Sequence, residues 1–221
     1  MQRFKDILCV VENRQGDTYV LERAVTLAEN NQASLTVVEV IARLTAGIGM
    51  PDGGPISVDL QAAMKNDHTE KLETMVEPYR NRCEIKTRVL TGVPFLEVIR
   101  EVLRYQHDMV IKMPETHDWL DMLFSSDDMH LLRKCPCPVW IIKAEAEKPY
   151  RRILAAVDVD DAYSPAEQES EYALNRQIFE LASSLALSSF AELHIVHAWE
   201  AVAESSMRSP FVNTQEEEIA A

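Results

Sequence analysis

The chain has 221 residues, with 36 acidic against 22 basic side chains and a formal charge of −14 at pH 7. That balance repels nucleic acid except at a local basic patch, and none is visible, because Arg133-Lys134 and Arg151-Arg152 stand isolated. Hydrophobic residues make up 47% and charged residues 26%, which excludes a disordered or fibrous chain, and no apolar run reaches the ~18 residues of a membrane span.

Four cysteines are too few to staple a chain of this size. Met1 to Asp6 lead straight into a strand-like segment without a signal-peptide layout. Both observations lead us to expect a reducing cytoplasm. The six glycines stand at 16, 47, 49, 53, 54 and 92, so residues 93 to 221 have no glycine from which to build a phosphate-cradling loop.

Ile7 to Val11 form a continuous apolar run, as in a strand buried on both faces. Leu21, Ala24, Val25 and Ala28 recur at helical spacing, with Asp17 or Thr18 as N-cap and an end near Asn30-Asn31. Leu35 to Val40 is the next strand, which makes a βαβ unit with parallel strands. A glycine-rich and proline-rich loop over 42–57 precedes a long helix over 58–80. Glu84 to Leu90 is a third strand, and a helix starting at Gly92-Val93-Pro94 carries Phe95, Ile99 and Val102 on one face. Met109 to Ile111 is a fourth strand, 114–126 is loop or short helix, and Asp127 to Lys134 is helical. Pro138 to Ile142 is a fifth strand. Alternating strands and helices give a doubly wound α/β sheet.

The opening strand is then repeated. Ile153 to Asp158 echoes Ile7 to Glu12, 146 residues later. A helix from Leu174 to Leu187 and a strand from Leu193 to His197 complete a second β-α-β, after which no strand follows Trp199. We expect a complete domain over 1–144, a linker over 145–149, a partial copy over 150–199 and an acidic tail over 200–221. Two parallel strands and one helix leave a sheet face uncovered. The first domain, a second chain or further sequence must cover it.

The order of elements and the segment Leu131-Leu132-Arg133-Lys134-Cys135-Pro136-Cys137-Pro138-Val139 resemble the universal stress protein family, and within it the tandem-domain bacterial E-type branch. Phe4 to Val11 resembles the family's first strand. The resemblance implies a five-stranded parallel sheet in order 3-2-1-4-5, with pairing through the fifth strand. It also implies a test. ATP-binding members carry a glycine, two residues, a glycine, nine residues, then a glycine with Ser or Thr. Registered on Cys137-Pro138-Val139, those glycines fall on Lys112, Glu115 and Ser125, with Ser126 at the hydroxyl position.

Such glycines let backbone N–H groups approach phosphate closely. Glu115 and Asp118 instead put carboxylates there, with Asp121, Asp127 and Asp128 nearby. Like charges a few ångströms apart cost on the order of 1–4 kcal/mol per pair at intermediate dielectric. The expectation is that the first domain does not hold ATP in the family's usual way. If an adenine nucleotide does bind, through an atypical loop, the resemblance assigns its adenine side to Glu12, Asn13 and Val40 or Ile41. Ser125-Ser126 at a helix start read mainly as an N-cap, with residual anion binding there as the lesser reading. The family's first-strand aspartate is Glu12 in the first copy and Asp158 in the second.

Other groupings are weaker. Cys135-Pro136-Cys137 is not a Cys-x-x-Cys motif, a bridge between i and i+2 is strained, and both read as structural cysteines, as does Cys9 in the first strand. His117, Asp118, Asp121, Asp127, Asp128 and His130 offer metal-ligand types without a metal spacing. Gly47-Ile48-Gly49 lies after the second strand rather than the first and reads as a connector. His194 and His197, three apart, face opposite sides of their strand. No catalytic constellation stands out. The reading is a non-enzymatic, cytoplasmic stress-associated scaffold or regulatory binding protein without a cofactor, with an ATP-binding stress switch as the alternative. It is expected to form a homodimer through Pro138 to Ile142 or the partial second copy, and to engage neither nucleic acid nor membrane.

Overall fold

The computed structural model describes residues 4–14, 16–44, 55–115, 127–143, 150–159 and 164–198. Its first strand, β1 (Asp6–Val11), is buried along Ile7 to Val11, as the unbroken apolar run requires. Helix α1 (Asp17–Asn31) follows and lays Val20, Leu21, Ala24 and Ala28 against the sheet. Its N-cap is Gly16, at φ 108°, rather than Asp17. Asp17 is the first helical residue, and its carboxylate folds back to accept the N–H groups of Glu12 (3.0 Å) and Arg14 (2.8 Å). A backbone in the left-handed region suits glycine, and the carboxylate serves the turn instead of the helix end.

Strand β2 (Ser34–Ile41) pairs parallel with β1, Ile7 opposite Leu35. Helix α2 (Pro55–Val76) starts three residues earlier than the sequence suggested and closes in a short 3₁₀ turn, Glu77–Tyr79. Strand β3 (Ile85–Thr91), helix α3 (Pro94–Tyr105) and strand β4 (Met109–Lys112) follow, with β4 paired parallel to β1. Helix α4 (Asp127–Lys134) leads into β5 (Val139–Ile141), which pairs parallel with β4. The sheet order is β3-β2-β1-β4-β5. The chain direction of build-up reverses between β1 and β4, and in open α/β sheets that switch point opens a crevice beyond the strands' carboxyl ends.

The chain divides into one unit over 1–146 and another over 147–221. The second unit, taken by itself, holds β6 (Arg152–Ala156), α5 (Pro165–Ser189) and β7 (Glu192–Val196). Its two strands pair parallel with Ile153 opposite Leu193, the counterpart of Ile7 opposite Leu35. Helix α5 opens nine residues before Leu174. Ser164 caps it, and Ser164 and Glu167 form a reciprocal capping box. Leu154 is 66% exposed and Ile195 55%, so this sheet presents apolar side chains at its surface. His197 falls just past β7, with its Nδ1 3.2 Å from the Val157 carbonyl. The expected tail over 200–221 lies outside the described residues. No helix among the described residues is long and apolar enough to cross a membrane.

Candidate functional site

At the switch point the carboxyl ends of β1, β2 and β4 surround a cleft of about 170 Å³. Val10, Val40, Phe95 and Val98 give it an apolar wall, while Glu12, Lys112, Glu115 and Asp127 give it an ionic one. Of the nucleotide-contact residues implied by the family resemblance, Glu12 and Val40 line this cleft. Asn13, at φ 56°, instead borders a separate depression against Asp67, Glu70 and Lys71 of α2. Ile41 is buried, and its carbonyl accepts the Gly92 N–H at 3.0 Å. Ser125 and Ser126 lie outside the described residues, as do His117, Asp118 and Asp121.

The ionic wall is built around Lys112. This residue ends β4, where Val110 and Ile111 are fully buried, and it is itself only 4% exposed. An ammonium withdrawn from water needs a carboxylate partner. Asp128, in the first turn of α4 and fully buried, supplies one: its Oδ1 accepts a hydrogen bond from Lys112 Nζ. Glu12 Oε1 lies 3.3 Å from the same ammonium. Asp128 Oδ2 accepts the Glu115 N–H at 2.7 Å, and Glu115 Oε2 accepts the Asp127 N–H at 3.1 Å. The guanidinium of Arg14 pairs with Glu12, and its Nη1 donates to the Glu115 carbonyl at 3.0 Å.

Lys112 and Arg14 pair with Glu12, and Lys112 with Asp128, while the N-terminal dipole of α4 favours the carboxylates in its first turn. The expected repulsion among carboxylates remains at Glu115. Glu115 has the least support. Burial, then the Asp128 and Asp127 charges, push its carboxyl above the usual glutamate value, with Lys112 opposing. The sequence placed Lys112 and Glu115 at glycine positions but did not show that they pair with α4. Asp128 is sixteen residues from Lys112, and no local spacing links them.

The remaining candidates fall elsewhere. His130 stacks on Phe95, with ring centroids 4.9 Å apart, on the apolar side of the cleft. Among the described residues no group of three His, Cys, Asp or Glu side chains is placed to hold a metal. Cys9 is buried, and burial pushes its thiol up. Cys135 and Cys137 are half-buried, with Sγ atoms 3.6 Å apart. In the second unit Asp158 is exposed, and its N–H donates to Asn175 Oδ1 at 3.1 Å.

The profile of the universal stress protein family matches residues 3–143. A universal stress protein E of Escherichia coli K12 is 30% identical over 213 residues, covering 90% of this chain and 63% of that protein. One from Photorhabdus laumondii is 28% identical over 208 residues, with the same two coverages. The chain thus spans less than two thirds of the length of these relatives. A solved protein of unknown function from Pseudomonas aeruginosa PAO1 shares the fold with a TM-score of 0.64, at 23% identity over 93% of this chain and 65% of its own. Universal stress protein UspA of Lactobacillus plantarum aligns with a TM-score of 0.51 at 20% identity, over 64% of this chain and 99% of its own. The chain belongs to the universal stress protein family, on the side of its E-type members.

Proposed function

We propose that this chain acts in the stress response as a non-enzymatic scaffold or regulatory binding protein whose nucleotide loop is degenerate. One observation carries the reading: the positions that would face phosphates are already joined to each other. Lys112 is committed to Asp128, and Glu115 caps the N-terminus of α4, where a phosphate would otherwise gather N–H groups. A triphosphate would have to displace buried carboxylates from those donors. The cleft, at about 170 Å³, is also below the ~300 Å³ at which pockets for larger ligands begin.

The alternative, an adenine-nucleotide switch with an atypical loop, draws support from the apolar wall of Val10, Val40 and Phe95, which suits a flat ring. Mass spectrometry of small molecules released from denatured protein separates the two. The scaffold reading expects no nucleotide in stoichiometric amount, and co-purifying ATP overturns it.

The proposal includes a domain over 1–144, a linker over 145–149, a partial copy over 150–199 and a tail over 200–221. It includes a cytoplasmic location and a homodimer. The dimer would use the edge strand β5, bounded by Pro138 and Ile142, or the second unit's sheet, where Leu154 and Ile195 are exposed. An unpaired edge strand and exposed apolar side chains favour self-association, and two-fold contacts close without forming fibres.

A further inference from the structure

We propose that Cys135 and Cys137 form a reversible dithiol–disulfide site that exchanges with small-molecule disulfides of the glutathione class, because the fold holds their sulfurs 3.6 Å apart and half-exposed at the joint between α4 and β5. This goes beyond the scaffold reading and does not depend on the state of the cleft. It also replaces the expectation that both cysteines are merely structural.

The joint is fixed at both ends. The Cys135 N–H donates to the Leu131 carbonyl at 2.8 Å, the last turn of α4. The Pro138 carbonyl, one residue past Cys137, accepts the Val110 N–H at 2.9 Å and so anchors the start of β5. Pro136 restricts the backbone between them. Both cysteines pack against the same buried core cluster, which includes Val98 and Leu131, so both side chains face the core. The sulfurs need to approach by about 1.5 Å to reach the ~2.05 Å of a disulfide.

Either sulfur can donate to the other across their 3.6 Å contact, so each can stabilise its neighbour's thiolate. A thiolate at Cys135 is the nucleophile of the exchange, and Cys137 resolves the adduct. The other cysteines are poor competitors. Cys9 is buried in β1, and burial raises the half-buried Cys83.

The exchange balances in two steps. The Cys135 thiolate attacks one sulfur of glutathione disulfide; that S–S bond breaks, and one glutathione leaves with the electron pair and takes a proton from water. Cys137 then gives up its proton and attacks Cys135 Sγ, which expels the second glutathione as thiolate. Two protein thiols are oxidised by two electrons, and one small disulfide becomes two thiols. A ring closed across a single intervening residue is strained. Strained, accessible disulfides have oxidising potentials and reverse readily, as a switch requires.

The test treats the reduced full chain with glutathione disulfide at about pH 7.5, followed by acid quench, intact mass and peptide mapping. The proposal expects a product lighter by two hydrogens, mapped to the 135–137 peptide, and reversal by excess reduced glutathione. Cys137→Ser should stop at one glutathione on Cys135, formed roughly tenfold or more faster than any adduct on Cys83. Oxidation of the wild-type chain that reaches Cys135 no faster than Cys83 overturns the proposal. So does a product joined between chains or carrying glutathione on both cysteines. The wild-type measurement decides the matter even if the variant fails to fold.

Discussion

Lys112 Nζ and the Asp128 carboxylate, one at the end of β4 and the other in the first turn of α4, form an ion pair that is almost wholly withdrawn from water. Removing one partner strands the other. Asp128→Ala should cost about 3–5 kcal/mol, because the buried ammonium loses the carboxylate that accepts its hydrogen bond. Replacing both, Lys112→Met with Asp128→Leu, should cost less than the single change, because no buried ammonium is stranded even though the Glu115 N–H loses its acceptor. Urea unfolding of the two variants measures this. A single variant no less stable than the double one would contradict the buried-pair account.

Glu115 supplies a pH-dependent prediction. Its folded-state carboxyl lies above the ordinary value of 4.5, first because of burial and then because of Asp128 and Asp127. The neutral form therefore favours folding at low pH, and that contribution is lost as pH rises through the raised value. Glu115→Gln keeps an oxygen for the Asp127 N–H and removes the charge. It should stabilise the chain at neutral pH, with the advantage vanishing below 4.5. Thermal melts across pH would show the two curves converging in acid. An advantage that grows in acid would contradict the assigned direction.

Gly92 joins β3 to α3 with φ at 151°, and a Cβ there would lie 2.7 Å from Glu97 Oε1. Gly92→Ala should destabilise the chain by about 1–3 kcal/mol. Adding Glu97→Ala should recover only the part due to the clash, since the backbone strain remains. Chemical denaturation of the single and double variants separates the two contributions.

The dimer proposal predicts a mass near twice 25.1 kDa by light scattering after size exclusion. Leu154→Lys with Ile195→Lys should yield monomer if the second unit's sheet carries the interface. Ile141→Lys should do so if β5 carries it. A wild-type chain at 25.1 kDa across the micromolar range would contradict the proposal.

Much of the fold could be read from the order of apolar runs. Ile7 to Val11 and Leu35 to Val40 have the continuous hydrophobicity of strands covered on both faces, and both are buried. The start of α5 was less visible. Residues 166–170 are all exposed, so no apolar stripe marks them, and the available signal was Ser164 three residues before Glu167. The start of α2 was obscured by the same proline and glycine content that marks a loop, although proline suits a first helical position. At the cleft, the register identified Lys112 and Glu115 as departures from glycine. It did not reveal that Lys112 is a buried cation answering Asp128, because that pairing depends on how α4 returns to the sheet. The two cysteines were likewise visible as a pair. That their sulfurs meet is a property of the α4–β5 joint.

The most direct measurement of the central claim is a calorimetric titration of the full chain with magnesium ATP. The account predicts no binding heat up to about 1 mM ligand, for the wild-type chain and also for Glu115→Gly, since Lys112 and Ser125 still stand where glycines would be needed. A saturable wild-type isotherm with micromolar affinity would contradict the claim that the ionic network has taken the place of the phosphate site.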